Sequence, residues 1–167
     1  MIDIIYQRRS IRKFKEDPIS DEIINELLKC AMAAPSARNM CPWDFYVVSN
    51  KETQAELRKV SRNFNYESNV MIIVCGNKQK ALTQNDNDFW IQDCSAAVEN
   101  ILLAATSLHI GSLWCGIYPV PERVEKVRTI LGVDNTIVPL ALVHLGYADE
   151  EKEPRTRYSE DCVHYIK

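Results

Sequence analysis

Glycine is scarce in this sequence, and the motifs that depend on glycine are missing with it. Only five of the 167 residues are glycine, and neither G-x-x-x-x-G-K-[ST] nor G-x-G-x-x-G occurs. The nucleophile motif G-x-S-x-G and the zinc motif H-E-x-x-H are also absent. The sequence therefore lacks the glycine loops that cradle nucleotide phosphates and the common signatures of hydrolases.

Metal and disulfide signals are weak as well. The three histidines, His109, His144 and His164, have no carboxylate or thiol neighbour at metal-binding spacing. No two cysteines form a C-x-x-C pair, and most lie in apolar sequence, where a free thiol packs like a small core residue. The cysteines are Cys30, Cys41, Cys75, Cys94, Cys115 and Cys162. This pattern predicts no metal site and favours a reducing, cytoplasmic setting.

Long apolar runs and a basic charge balance are missing too. No run approaches the roughly 18–20 apolar residues that span a bilayer, and the early Asp3 and arginines do not fit a signal peptide. The net charge of −3 argues against nucleic acid as the main partner. With 46% apolar and 26% charged residues, we expect one globular domain over residues 1–167, with neither a nucleic-acid nor a membrane partner.

The most distinctive stretch that is present is basic and lies near the start of the chain. Residues 8–13 contain Arg8, Arg9, Arg12 and Lys13 together with the hydroxyl of Ser10. Guanidinium groups bind phosphate oxygens through paired hydrogen bonds, so the stretch suits a phosphate dianion. It also fits a solvated basic end on a short helix formed by residues 2–6, because the helix dipole stabilises cations near the C-terminus of a helix. Both interpretations stay open on these residues alone.

Hydrophobic periodicity predicts alternating helices and strands. An apolar run at 70–76 has the length of a strand that is covered on both faces. The segment around 94–108 is apolar nearly all round, which in a small protein favours packing against a second subunit. Residues 77–90 are polar and form a loop or short helix, the best candidate for a lid. Helices are predicted at about 21–33, 50–60, 94–108 and 120–131, and strands at about 44–49, 70–76, 110–118 and 137–147.

Four stretches together resemble the FMN-dependent nitroreductase family. They are the basic motif at 8–14, the loop at 35–43, the helix and strand at 96–116, and the strand at 139–147 with its following tail. Because the chain lacks acid, base and nucleophile signals, its chemistry would belong to a bound cofactor. The resemblance implies an α+β fold, with a mainly antiparallel central sheet flanked by helices. It also implies an intertwined homodimer whose C-terminal tail extends over the partner.

The resemblance further implies which residues bind FMN. The phosphate and ribityl end would be bound by Arg8, Ser10 and Arg12, with Arg9 adjacent, and by Arg155 and Arg157 from the tail. Residues of the partner subunit would pack along the flavin, namely Pro35, Ser36, Ala37 and Asn39. Backbone groups around Cys115 and Gly116 would face the edge of the ring system. This chain departs from many relatives at Cys41, where they have glutamine, and residues 62–66 contain no evident equivalent of a lysine that contacts the pyrimidine end.

The activity that the resemblance implies is reduction of electron-poor acceptors by NADH or NADPH through FMN, in a ping-pong cycle. The acceptor would be a small molecule such as a nitroaromatic, a quinone or a free flavin. No side chain is needed as nucleophile, so we assign no catalytic residue. Three alternatives stay open, namely the same fold with dehalogenation or flavin destruction, a flavin-binding protein for sensing or storage, and an anion-binding module without flavin.

Overall fold

The computed structural model describes residues 2–82 and 88–167. Its centre is a four-stranded antiparallel sheet with the strand order β1-β2-β4-β3. The strands are β1 (Trp43–Val48), β2 (Val70–Asn77), β3 (Gly111–Gly116) and β4 (Ile137–Gly146). This arrangement confirms the predicted α+β class and its antiparallel sheet. β1 and β3 form the two edges, whereas every residue of β2 and β4 is buried.

Three of the helices begin or end where local sequence signals place them. The side chain of Ser20 accepts a hydrogen bond from Ile23 N at the start of the second helix, and Asn50 caps the third in the same way. Gly132 adopts a φ of 67° and ends the fifth helix. The helices are α1 (Ile2–Gln7), α2 (Asp21–Met32), α3 (Lys51–Val60), α4 (Phe89–Ser107) and α5 (Pro121–Leu131).

The helices cover the sheet on both faces. One core lies between the sheet and the pair α2 and α4, and includes Leu27, Val74 and Ile101. The other lies against α3 and α5 and includes Leu57 and Leu142. The sheet is therefore the middle layer of three, and both of its faces bury apolar side chains away from water.

The start of α4 differs from the prediction. The helix begins at Phe89, five residues before the predicted start at Cys94, because its first turns pack closely on the sheet. A Cβ atom placed on Gly76 would lie 2.2 Å from the Trp90 ring, so β2 needs glycine there. The predicted loop at 77–90 is thus strand at Asn77 and helix from Phe89, and the part at 83–87 lies outside the described residues.

The surface of α4 is only partly covered by its own chain. One side of the helix is buried, including Cys94, Val98 and Ile101, while Leu103 and Ala104 on another side remain partly exposed. That a second subunit covers this helix stays a prediction. No helix in the described part of the chain is long and apolar enough to cross a membrane.

Candidate flavin site

The basic stretch 8–14 lies beside the edge strand β3. Ser10 forms a parallel bridge with Ser112, and the backbone N of Ile11 donates to the carbonyl O of Ser112 over 2.9 Å. Phe14 forms an antiparallel bridge with Ala148, just beyond the end of β4. These contacts hold residues 10–14 in an extended conformation, whereas Arg8 directly follows α1 and its backbone N donates to the carbonyl O of Ile4 over 2.9 Å.

The C-terminal tail returns to the same place. The backbone N of Arg155 donates to the carbonyl O of Tyr6 over 3.0 Å, and the Arg9 guanidinium donates to the carbonyl O of Glu153. The Lys152 ammonium donates to the carbonyl O of Ser10 over 2.5 Å. The first half of the tail therefore lies along the N-terminal segment of its own chain.

This meeting of the two termini gathers four guanidinium groups. The pKa of Arg155 lies below its ordinary value, chiefly because the cation of Arg157 is close, with further contributions from desolvation and from Arg9 and Arg8. Arg8 also has a carboxylate nearby, since its Nε lies 3.8 Å from Oε1 of Glu99 on α4. A surplus of like charge at one place is relieved by binding an anion, so these four residues form a candidate phosphate site.

Arg12 lies further along, at a separate cavity of about 310 Å³ beside the end of β3. Its backbone N donates to Oε1 of Glu150 over 2.5 Å, and this bond is the main reason that the pKa of Glu150 is lowered. The residues around this cavity, which we call the β3 cavity, are Arg12, Asn63, Tyr66, Leu113, Trp114, Cys115, Gly116 and Arg123.

The β3 cavity has an open backbone on one side and a buried thiol on another. Gly116 is exposed, and a Cβ atom placed on it would meet nothing closer than the carbonyl O of Tyr118, at 3.9 Å. Cys115 is buried, and burial raises its pKa to about 11, although the cations of Arg12 and Arg123 act in the opposite direction. The thiol is therefore protonated at neutral pH and is not a ready nucleophile.

Five residues that line the β3 cavity were not predicted as site residues, and two of them, Arg123 and Asn63, bring a guanidinium group and a carboxamide. Arg123 lies in the first turns of α5, which starts five residues after β3 ends, and its Nη1 donates to the carbonyl O of Gly116 over 3.0 Å. Asn63 belongs to the short 3-10 helix Arg62–Phe64, whose region was noted only for lacking a lysine. Arg123 could have been found from the short connection between β3 and α5, which returns the helix start to the strand end.

The loop at 35–39, which is predicted to pack along the flavin of a partner subunit, does not line the β3 cavity of its own chain. Its backbone is held by Asp93 of α4, whose Oδ1 accepts from Ala37 N over 2.8 Å, and by Ser36, whose Oγ accepts from Cys41 N over 2.9 Å. Arg38, Asn39 and Cys41 have φ angles of 51°, 56° and 47°, an uncommon conformation for residues other than glycine. The hydroxyl of Ser36 is thus engaged within the loop itself.

Within one chain the loop does not join the β3 cavity. The loop precedes β1, and β1 and β3 are opposite edges of the sheet, about 14 Å apart at the usual strand spacing. The structure therefore brings together Arg8, Arg9, Arg155 and Arg157 in one place and Arg12, Cys115 and Gly116 in another, with Ser10 between them along β3. The predicted residues that it does not bring to them are Pro35, Ser36, Ala37 and Asn39.

Comparison with known proteins identifies the class to which this fold and site belong. A sequence profile of the Nitroreductase family matches residues 5–69 and 60–147. A relative from Archaeoglobus fulgidus, provisionally named NADH dehydrogenase/NAD(P)H nitroreductase, is 44% identical over 174 residues, covering 99% of this chain and 97% of its own. The chain belongs to the nitroreductase family.

Solved structures agree with this assignment. A protein from Clostridium acetobutylicum, provisionally named NADH oxidase, superposes with a TM-score of 0.92 at 34% identity, covering 99% of both chains. An FMN-dependent nitroreductase from Clostridium difficile superposes with a TM-score of 0.90 at 29% identity, covering 100% of this chain and 99% of its own. The resemblance predicted from the sequence is confirmed at the level of family and fold.

Proposed function

We propose that this protein is an FMN-dependent oxidoreductase that uses NADH or NADPH to reduce electron-poor small molecules. The observation that carries the proposal is that the tail returns to the basic stretch at the start of β3, which brings Arg155 to Arg8 and Arg9, while the polar β3 cavity lies at the other end of the strand. A phosphate dianion needs several cations, and a flat ring needs exposed backbone beside it. The chain provides the cations and the exposed backbone along a single strand, β3.

The residues present fit FMN on two counts. The cations of Arg157, Arg9 and Arg8 lower the pKa of Arg155, and a bound phosphate would offset their repulsion. The open side of Gly116, where a Cβ atom would project into free space, leaves room for a planar ring against the end of β3. Arg8, Arg9, Arg155 and Arg157 would hold the phosphate, with Ser10 beside them. The backbone of Cys115 and Gly116 would lie beside the ring.

The chemistry that such a cofactor supplies is hydride uptake from NADH or NADPH, followed by reduction of a nitroaromatic, quinone or free flavin in a ping-pong cycle. The residues of the protein would bind the cofactor and orient it. Cys115 keeps its proton, because burial raises its pKa to about 11, so it does not compete as a nucleophile. We assign no catalytic side chain, and the protons consumed would come from water.

We propose that the working form is a homodimer. The loop at 35–39 and the β3 cavity lie at opposite edges of one sheet, so a second copy is needed to bring both to one ring. The last residues of the tail carry apolar side chains with little cover, with Tyr165 81% and Ile166 100% exposed. A tail of this kind gains stability by packing on a partner. Sedimentation velocity should give a dimer, and a monomer that keeps full activity would contradict this part.

We also propose that the chain forms a single domain over 1–167 and acts in the cytoplasm. Both helical layers pack on one sheet, which supports one domain. All six cysteines are free thiols, which supports a reducing compartment. Fractionation of cells that express the native protein would test the location.

The first experiment is the visible absorption spectrum of the purified protein, recorded before and after addition of NADH or NADPH without oxygen. Flavin bands that bleach would support the oxidoreductase and identify the donor. Bands that persist would instead support a storage or sensing role. Protein that remains colourless after incubation with FMN would contradict the proposal.

A variant tests the phosphate assignment directly. Replacement of both Arg8 and Arg155 with alanine should release FMN while leaving a folded dimer. Arg128→Ala is the matched control, because Arg128 lies on α5 and pairs with Glu125 away from the site. Flavin content that is unchanged in the double variant would show that the phosphate lies elsewhere.

A further inference from the structure

The β3 cavity is polar and carries positive charge. Its lining contains the guanidinium groups of Arg12 and Arg123 and the carboxamide of Asn63. None of its lining residues within the described part of the chain is acidic. A cavity with two cations and an amide suits a ligand edge that has carbonyl oxygens, an N–H group and negative charge.

Arg123 belongs to α5, and two contacts fix its side chain in the β3 cavity. Its Nη1 donates to the carbonyl O of Gly116 over 3.0 Å, and its guanidinium carbon lies 5.7 Å from the ring centroid of Phe64, which is fully buried. Stacking on an aromatic ring favours a cation and restricts its orientation. Arg123 forms no ion pair with any residue in 2–82 or 88–167, so its charge is not neutralised by a carboxylate of its own chain.

Arg12 lines the same cavity and belongs to the N-terminal basic stretch. Its Nη1 lies 3.4 Å from the carbonyl O of Ser10, on the side of the gathered arginines at the chain termini. Both guanidinium groups line the cavity together with Cys115, and both act to lower the pKa of this thiol. Arg123 is thus the cation further along the strand from the proposed phosphate site.

The two ends of a flavin ring system differ in polarity. One end is a dimethylbenzene, and the other is a pyrimidine with two carbonyls and an N–H group. Because the β3 cavity is polar, it suits the pyrimidine end. Uptake of a hydride adds two electrons and one proton, which leaves one extra negative charge at the pyrimidine end, while the nicotinamide donor becomes oxidised.

We infer that Arg123 supplies the cation at the pyrimidine end of the flavin and stabilises the reduced cofactor more than the oxidised cofactor. This inference rests on the proposed function, since it requires that FMN binds beside β3. A fixed, partly buried guanidinium costs little reorganisation when the charge develops.

The test measures the affinity for oxidised FMN and the midpoint potential of the bound cofactor in Arg123→Gln and Arg123→Lys. Arg123→Gln should weaken binding of reduced FMN about tenfold relative to oxidised FMN, which for a two-electron couple lowers the midpoint potential by about 30 mV. Arg123→Lys retains the charge and should keep most of the wild-type potential. Arg128→Gln removes a cation from the same helix outside the cavity and should leave the potential unchanged.

The outcomes distinguish a failure of this inference from a failure of the proposed function. Wild-type protein that binds no FMN would overturn both. Wild-type protein that binds FMN, with an unchanged midpoint potential in Arg123→Gln, would overturn the inference alone. An equal fall of the potential in the glutamine and lysine variants would show that the side chain acts through its shape, and this too would overturn a role for its charge.

Discussion

The thiol of Cys115 donates a hydrogen bond to the carbonyl O of Asn63 over 3.0 Å. The bond joins β3 to the 3-10 helix Arg62–Phe64, two segments that are 52 residues apart in the sequence. Because burial raises the pKa of Cys115 to about 11, the thiol keeps its proton and remains a donor at physiological pH. Cys115 therefore holds Asn63 in place at the β3 cavity.

Removal of this hydrogen bond should weaken FMN binding without preventing folding. We expect Cys115→Ala to lower FMN affinity about three- to tenfold, because one net hydrogen bond contributes about 0.5–1.5 kcal/mol. Cys115→Ser keeps a donor of similar size and is the matched control, with affinity near that of the wild type. Fluorescence titration of FMN measures both. Equal affinity in the alanine variant and the wild type would show that Asn63 is positioned by other contacts.

Gly116 should matter for the cofactor and hardly at all for the fold. A side chain there meets no protein atom closer than 3.9 Å at its Cβ, and valine is favourable in a strand. We expect Gly116→Val to unfold at nearly the wild-type temperature without cofactor, yet to bind FMN at least about tenfold more weakly, a loss of about 1.4 kcal/mol. Thermal denaturation of the apo protein and FMN titration separate the two effects. Undiminished FMN binding would place the ring away from Gly116.

Much of the fold could be predicted because its signals are local. Ser20 and the spacing of Ile24, Leu27 and Ala31 predict α2, and the structure buries those three apolar residues. The start of α4 could not be predicted in this way. Asp93 has the character of a polar loop residue, but it is buried in the helix, where it accepts a hydrogen bond from Ala37, 56 residues away. A hydrogen-bond partner so distant in the sequence cannot be predicted from a short stretch of residues.

The candidate site likewise contains some residues that the sequence could identify and others that it could not. Arg8, Ser10 and Arg155 belong to stretches that resemble family motifs, so the amino-acid sequence alone was enough to name them. Arg123 belongs to no such motif, and its side chain enters the β3 cavity only because α5 packs back on the end of β3. Apart from the short connection between β3 and α5, nothing in the single sequence marks Arg123 as a site residue.

His144 should make the stability of the protein sensitive to mild acid. It is fully buried on β4, with its Nδ1 2.9 Å from Oγ of Ser68 and its ring edge-on to Tyr66, and its Nε2 has no hydrogen-bond partner within the described residues. Burial, with a smaller effect of the cation of Arg58, lowers its pKa from 6.5 to about 4. The histidine is therefore neutral in the folded protein at neutral pH.

The sign of the effect follows from the lowered pKa. The unfolded chain takes up a proton at His144 below about pH 6.5, whereas the folded protein does so only near pH 4. The stability associated with this residue is complete above pH 6.5 and is lost as the pH falls towards 4. Between pH 7 and pH 5 we expect the free energy of unfolding to fall by about 2 kcal/mol from this residue.

Urea unfolding of the apo protein at pH 7 and pH 5 measures this loss. His144→Gln cannot titrate, so its free energy of unfolding should change by about 2 kcal/mol less than that of the wild type over the same interval. The exposed His164, replaced by glutamine, is the control and should leave the wild-type pH dependence intact. Carboxylates contribute equally to all three proteins and cancel in the comparison. If His144→Gln lost as much stability as the wild type between pH 7 and pH 5, His144 would not resist protonation in the folded protein.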